Sequence, residues 1–92
     1  MNDLNKLINE IISEDQEIRE EIELLDLKYK LIDELINFRK SYKLSQAEFA
    51  DMIKVKQQMI SRFEKGEVDP KLSFISKILH GMNKEIIISS KI

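Results

Sequence analysis

Amide and basic side chains near the middle of the chain are the residues best suited to chemistry. Lys56, Gln57 and Gln58 stand together, and Ser61 and Arg62 follow one helical turn later. A glutamine amide can pair with both edge groups of adenine, whereas lysine and arginine donate to the two acceptors of guanine. Side chains of these types at the start of a helix are therefore suited to contacting base edges in the major groove of DNA.

The chain holds few residues for other kinds of chemistry. His80 is the only histidine, and there is no cysteine, so we expect no histidine-based catalytic triad, no cysteine–histidine zinc site and no disulfide. Glu20 and Glu21 are neighbours, and neighbours on a helix point apart rather than forming an acid–base pair. No glycine-rich phosphate loop is present. We expect no enzymatic activity, no cofactor and no metal.

Short helices must position the amide and basic residues. Ser45–Glu48 has the form of a capping box, which opens a helix extending to Ile53. After a break, a second helix from about Gln57 to Lys65 has Ile60 and Phe63 facing inward, and Gly66 is suited to ending it. For the first of these two helices, the spacing predicts an inner face made of Ala47, Phe49, Ala50 and Ile53.

The C-terminal third predicts one more helix and then a strand. Pro70 suits the first turn of this helix, and its predicted buried face consists of Leu72, Ile75, Leu79 and Met82. We interpret Met52, Met59 and Met82 as residues that fill the core. The segment of residues 85–89 is short and rich in isoleucine, which predicts a single strand. Because a lone strand leaves its backbone groups unpaired, we expect it to pair with a second chain, most simply in a homodimer.

Acidic side chains dominate the N-terminal third. Residues 1–27 hold nine acidic and two basic side chains, whereas residues 28–92 hold thirteen basic and eight acidic ones. Apolar residues from Leu4 to Ile12 recur at helical spacing, and Ser13–Gln16 has the form of a capping box that starts another helix. Whether residues 14–42 form one helix or two stays open. The asymmetry favours two surfaces with different partners, the alternative being a solvated acidic face with no partner.

These patterns together predict an all-α fold with one short C-terminal β-strand. We divide the chain into an acidic helical leader (residues 1–29), a helix-turn-helix domain of the five-helix type (residues 30–83) and a C-terminal strand (residues 84–92). No apolar run approaches the roughly 18 residues of a membrane span, and the N-terminus does not read as a signal peptide. We therefore expect a cytoplasmic protein without a membrane partner.

The central segments resemble the Xre or phage-repressor/Cro family of DNA-binding proteins. Leu44–Ala50 reads LSQAEFA and Gln57–Gly66 reads QQMISRFEKG, which matches the family pattern L-[ST]-Q-x-E-[LF]-A, a turn, and Q-x-x-I-S-x-[LIF]-E-x-G. The resemblance implies a structural pair between Arg39 and Glu64, and it places lysine, at Lys43 and Lys54, where the family usually has glycine. It implies contacts with operator DNA from Lys43, Ser45, Gln46, Lys54, Lys56, Gln57, Gln58, Ser61, Arg62 and Lys65.

The N-terminal part is similar to the HigA-type antitoxin branch of that family. A typical member has a D-x-E-x-R-x-E segment before the motif, and residues 15–21 read DQEIREE. The resemblance implies a partner, a small basic toxin of the RelE/HigB ribonuclease class, whose basic surface an acidic leader would complement. The toxin-binding residues that we predict on this basis are Ile11, Glu14, Glu17, Ile18, Glu21, Ile22 and Leu25.

Three functions follow as alternatives. The first is an antitoxin that neutralises a toxin and represses its own operon. The second is a stand-alone transcriptional repressor whose N-terminal helices serve dimerisation. The third is a structural coiled-coil adaptor that no longer binds DNA, which steep salt dependence of DNA binding would exclude.

Overall fold

The computed structural model describes residues 3–90, and for residues 11–14 it describes the backbone only. The sequence left open whether residues 14–42 form one helix or two, and the structure has a single long helix from Gln16 to Ser41. Acidic and basic side chains lie in its first and last turns, respectively, as the helix dipole favours. The helices are α1 (Asp3–Glu14), α2 (Gln16–Ser41), α3 (Gln46–Ile53), α4 (Gln57–Glu64) and α5 (Leu72–Gly81).

The predicted C-terminal strand is wrong. Within residues 3–90 every regular element is a helix, and residues 84–90 have no regular secondary structure. The isoleucines favour a strand intrinsically, but this part of the chain offers no other strand with which to pair. Instead, the segment starts from the end of α5, where the backbone N–H of Lys84 donates to the carbonyl of Leu79 at 2.9 Å and its ammonium pairs with Glu34.

The chain divides into two compact units, residues 1–30 and residues 31–92. In the first unit no described side chain is buried. Its side-chain interactions include the ion pair between Lys30 and Asp26, four positions apart, at 2.8 Å. The start of α2 is capped by Asp15, whose carboxylate accepts from the backbone N–H of Ile18 at 3.1 Å. The predicted helix start at Ser13 therefore needs correction, because the backbone of α1 continues to Glu14 and α2 begins at Gln16. The helices of this unit are thus held by local interactions.

The second unit contains the hydrophobic core. Each of its helical segments contributes to one cluster, and aromatic rings link them: Phe38 meets Phe49 edge-on at 5.9 Å between ring centroids, and Phe63 meets Phe74 at 5.6 Å. Burying one such side chain is worth about 1.5–3 kcal/mol, so this cluster is what fixes the arrangement of α3, α4 and α5. Its buried members are Ile32, Leu35, Phe49, Ala50, Ile60, Phe63, Phe74, Ile75, Ile78 and Met82.

Three sequence-based predictions about the inner faces need correction. Leu72 is 87% exposed and Ala47 is exposed, while Phe74 and Ile78 occupy the places expected for the buried face of α5. Met52 and Met59 are 50% and 44% exposed and do not fill the core, whereas Met82 does. Pro70 lies before the cap of α5 at Lys71, outside the first turn.

Candidate nucleic-acid interface

Helix α4 presents the predicted DNA-contacting side chains to solvent. Ile60 and Phe63 are fully buried and fix the rotation of the helix. The opposite side consists of polar and basic residues. Its N-cap residue, Lys56, makes no side-chain cap bond. Gln57, Gln58, Arg62 and Lys65 are exposed, and Ser61 is half-buried.

Helix α3 begins with a complete capping box, as the sequence predicts. The Ser45 hydroxyl accepts from the backbone N–H of Glu48 at 3.0 Å, and the Glu48 carboxylate accepts from the backbone N–H of Ser45 at 2.9 Å. Hydrogen bonding of the Glu48 carboxylate, first to the Ser45 backbone N–H and then to the Ser45 side chain, lowers the pKa of Glu48 below its usual value. The Ser45 side chain is therefore engaged in shaping the end of the helix that a phosphate would approach.

The ion pair between Arg39 and Glu64 links the end of α2 to the end of α4. The Arg39 Nε donates to one carboxylate oxygen at 2.7 Å and Nη2 to the other at 2.5 Å. The side chains are 15% and 7% exposed. The hydrogen bonds to Glu64 raise the pKa of Arg39 above its ordinary value, against a smaller lowering by burial. A bidentate, nearly buried pair of this kind fixes geometry between the two helices.

Gln46 joins this pair. Its amide nitrogen donates to Glu64 Oε1 at 3.1 Å, and its side chain is half-buried. The resemblance implied that Gln46 faces the groove, but gave no signal that its amide shares an acceptor with Arg39. No sequence pattern joins residues 18 positions apart on separate helices, which is why this bond was missed.

Two lysines occupy left-handed backbone at the ends of α3. Lys43 has φ 54° and Lys54 has φ 59°. A side chain in this region costs roughly 1–2 kcal/mol relative to a residue in right-handed backbone, and glycine avoids that cost. The two turns therefore have the left-handed geometry in which glycine is usual. Because lysine stands there instead of glycine, two exposed ammonium groups lie near α3.

A second feature borders α4 and was not predicted. A cleft of about 460 Å³ lies between α4 and α5, and apolar side chains including Met59, Val68 and Phe74 line it. The basic side chains of Arg62, Lys71 and Lys77 also line this cleft. The exposure of Met59, which had been expected in the core, is explained by this position.

The predicted toxin-binding residues lie in the first unit. Glu17, Glu21, Ile22 and Leu25 are exposed on α2, and Ile18 is half-buried. The side chains of Ile11 and Glu14 lie outside what the structure describes. Exposed leucines adjoin the predicted set on α2, namely Leu24 and Leu27.

Neither a metal-binding cluster nor a membrane-spanning helix is found among the described residues. Among residues 3–90 with described side chains, no three histidine, cysteine or carboxylate groups stand together as a metal would need. Within the same residues, no helix is both long and apolar enough to span a membrane.

Comparisons with known proteins point in the same direction as the geometry. A family model described as helix-turn-helix matches residues 35–87. An uncharacterized HTH-type transcriptional regulator of Haemophilus influenzae is 39% identical over 69 residues, which are 75% of this chain and 70% of that protein. Antitoxin HigA1 of Mycobacterium tuberculosis, in two strains, is 34% identical over 84 residues, or 91% of this chain. Those residues are 56% of the antitoxin, so the chain spans little more than half of its length.

Proposed function

The chain belongs to the helix-turn-helix family of DNA-binding regulators, and from this premise we propose that it is an antitoxin that represses its own operon and neutralises a small basic toxin of the RelE/HigB ribonuclease class. The observation that carries the DNA-binding part is the division of α4 into two sides. Ile60 and Phe63 are fully buried, while Gln57 and Gln58 at its N-terminal end are free in solvent.

In the proposed DNA complex, α4 lies in the major groove. The amides of Gln57 and Gln58 contact base edges, whereas Lys43, Lys54 and Lys65 contact phosphates and set the register. Base contacts distinguish sequences, and phosphate contacts supply affinity that falls with salt. The two roles therefore separate in an experiment.

We expect Gln57→Ala to cost about 1–3 kcal/mol of binding to the operator and much less on unrelated DNA. Lys54→Ala should weaken binding to both and reduce the salt slope by about one unit. Fluorescence anisotropy with duplexes from the protein's own promoter measures both effects. Gln16→Ala, on the first unit, is the matched control. Equal losses on operator and unrelated DNA for Gln57→Ala would remove the base-contact role.

Toxin neutralisation is proposed for the acidic leader. Antitoxin HigA1 is similar over most of this chain, and Ile22 and Leu25 are exposed between carboxylates on α2. An apolar ridge flanked by carboxylates complements a basic protein surface, because the charges steer the encounter and the apolar side chains become buried.

Capture of partners by the tagged full chain, from its host at mild salt, tests this part. We expect a stoichiometric small basic protein that is lost with the variant Ile22→Asp/Leu25→Asp, while that variant still binds the operator. Met52→Asp, a similar change on the exposed side of α3, should retain the partner. A partner that survives the leader variant would contradict the assignment of the surface.

Binding of a two-fold operator needs a dimer, and α5 offers a surface for it. Leu72 is 87% exposed, and a shallow cleft beside it is lined by Ile75, Leu79 and Ile86. Joining two such faces would bury apolar surface, and a two-fold operator requires the dimer to hold its two α4 helices about one helical turn of DNA apart, or a multiple of that. Leu72→Asp should then shift the mass measured by sedimentation towards the monomer, and an unchanged mass would exclude this surface.

The second candidate function is a stand-alone repressor. The similarity to an HTH-type transcriptional regulator, which covers 75% of this chain, favours it. In that case the exposed apolar residues of α2 would pack against a second copy. The capture experiment separates the two functions, because the repressor would bring down DNA and itself but no basic protein.

A further inference from the structure

Two side chains, one from α2 and one from α3, share a single carboxylate on α4. Arg39 on α2 and Gln46 on α3 both donate to Glu64 on α4. We propose that Glu64 is a positioning residue for DNA binding, because it fixes the orientation of the Gln46 amide, whose nitrogen keeps a second hydrogen that can donate to a DNA phosphate. This inference rests on the DNA-binding function proposed above and deepens it.

The orientation follows from what each group can donate. An ionised carboxylate only accepts hydrogen bonds, so the Gln46 amide must turn its nitrogen, not its oxygen, towards Glu64. That nitrogen carries two hydrogens, and the bond of 3.1 Å to Oε1 uses one. The other stays on the same edge of the amide. A phosphate oxygen also only accepts, so a donor is what the DNA backbone needs at this place.

The carboxylate itself cannot rotate away. Arg39 bonds both of its oxygens, at 2.7 and 2.5 Å. The remaining guanidinium nitrogen, Nη1, donates to the carbonyl of Leu44 at 3.0 Å, and Leu44 directly precedes the cap of α3 at Ser45. Arg39 thus connects the carboxylate to the segment that carries Gln46. The pair is nearly buried, where hydrogen bonds to charged groups are strong.

A purely structural role for the pair makes a different prediction. If Arg39 and Glu64 only hold helices together, replacing Glu64 changes stability but not the affinity of the folded protein for DNA. If Glu64 orients Gln46, the loss of its charge releases the amide. In Glu64→Gln the group that faces Gln46 can be an oxygen or a nitrogen, so Gln46 is free to present either edge.

The free protein provides the first test. In the wild type we expect one of the two Gln46 side-chain amide protons to show a nuclear Overhauser contact with the Arg39 Hε proton or the Glu64 side chain. The other proton should shift when a duplex of the operator is added. Two amide protons at the shifts of a solvent-exposed glutamine, with no such contacts, would overturn the inference without any variant.

The second test is a double-mutant cycle in DNA binding. Gln46→Ala should weaken binding about three- to tenfold, on operator and unrelated duplexes alike, with an unchanged salt slope because the amide is neutral. Glu64→Gln should give a similar loss. The double variant should bind no more weakly than Gln46→Ala alone, since each change removes the same contact. All affinities are measured well below the melting temperature of each variant.

Glu34→Gln is the matched control. Glu34 also forms an ion pair between distant parts of the second unit, with Lys84, 50 residues away, but it has no bond to Gln46. We expect its DNA affinity to equal that of the wild type. Losses from Gln46→Ala and Glu64→Gln that simply multiply would overturn the positioning role and leave the proposed function intact. Failure of the wild type to bind operator DNA at all would instead refute the proposed function.

Discussion

Residues 1–30 and residues 31–92 are both helical, but different forces hold them. The first unit has no buried side chain among those described, and Leu24, Leu25 and Leu27 stand exposed on α2. The second unit buries ten residues in one cluster and carries ion pairs between positions 25 and 50 apart. Contiguous apolar surface is seldom left uncovered, so we expect a partner to cover the exposed leucines of the first unit, whereas the second unit folds around its own core.

The largest expected effect tests whether only the second unit has a buried core. Phe49→Ala in the second unit should cost about 3–5 kcal/mol of unfolding free energy, since Phe49 is fully buried. Leu24→Ala, which truncates a side chain that is 55% exposed, should cost no more than about 0.5 kcal/mol. Urea denaturation followed by circular dichroism measures both. A cost for Leu24→Ala that approaches that of Phe49→Ala would mean that the first unit has a core of its own.

A second prediction compares two opposite effects of one substitution on stability, namely steric crowding and helix propensity. Gly81 lies at the end of α5, and a Cβ there would come 2.4 Å from Ile53 Cγ2 and 3.2 Å from Phe49 Cζ. The methyl group of Ile53 is on a stiff, branched side chain and cannot swing away freely. Gly81→Ala should therefore destabilise the protein by about 1–3 kcal/mol, although alanine favours helices.

Matched changes sharpen that result. Ser76→Ala on the exposed side of α5 and Asn9→Ala on α1 put alanine where nothing crowds it, so both should raise stability or helicity by a few tenths of a kcal/mol. Melting temperatures and far-ultraviolet dichroism report these signs. A stabilising Gly81→Ala would show that the close approach of α5 to α3 is not tight.

The same contrast explains which features could be predicted from the sequence. The capping box at Ser45 and the stop at Gly66 depend on a few adjacent residues, and both are found. Helical periodicity predicts the spacing of the residues on a buried face, but it does not fix which face turns inward. For this reason the sequence placed Leu72 in the core, whereas the structure buries Phe74 and exposes Leu72. The strand at residues 84–92 needed a pairing partner that periodicity cannot supply.

Contacts between distant residues were predictable only where the family resemblance carried them. Arg39 and Glu64 were paired in this way, and the pair is present. The bond from Gln46 to Glu64 had no such precedent, because it depends on how α3 packs against α4. The exposed cleft beside Met59 likewise arises from the packing of two helices and leaves no pattern in the sequence.

A third prediction makes one chemical change in both units. Lys54→Gly should raise the unfolding free energy by up to about 1 kcal/mol, because Lys54 has φ 59° and glycine relieves the strain. Lys30→Gly, within α2, should lower helix stability by about 1 kcal/mol. Urea titrations give both values. Destabilisation by Lys54→Gly would mean that the lysine side chain makes compensating contacts, whereas weaker DNA binding at higher stability would show that its charge serves function.

The smallest expected effects concern helix caps, one in each unit. Ser45→Ala removes the cap of α3 and should cost about 1 kcal/mol at neutral pH, and Asp15→Ala should cost a similar amount at the start of α2. In the second unit the loss should appear as a lower melting temperature of the cooperative core transition. In the first it should appear as lower helical dichroism, because no described side chain in the part of α2 before Leu31 is buried.

The cap of α3 also has a pH signature. The hydrogen bonds from Ser45 lower the folded-state pKa of Glu48, so the stability that they contribute is complete above the ordinary glutamate pKa and is lost as pH falls through the lowered value. The difference in melting temperature between wild type and Glu48→Gln should therefore shrink on acidification, because the protonated glutamate then resembles the neutral amide. A difference that does not change with pH would mean that the charge of the carboxylate contributes nothing to the start of the helix that we place against DNA.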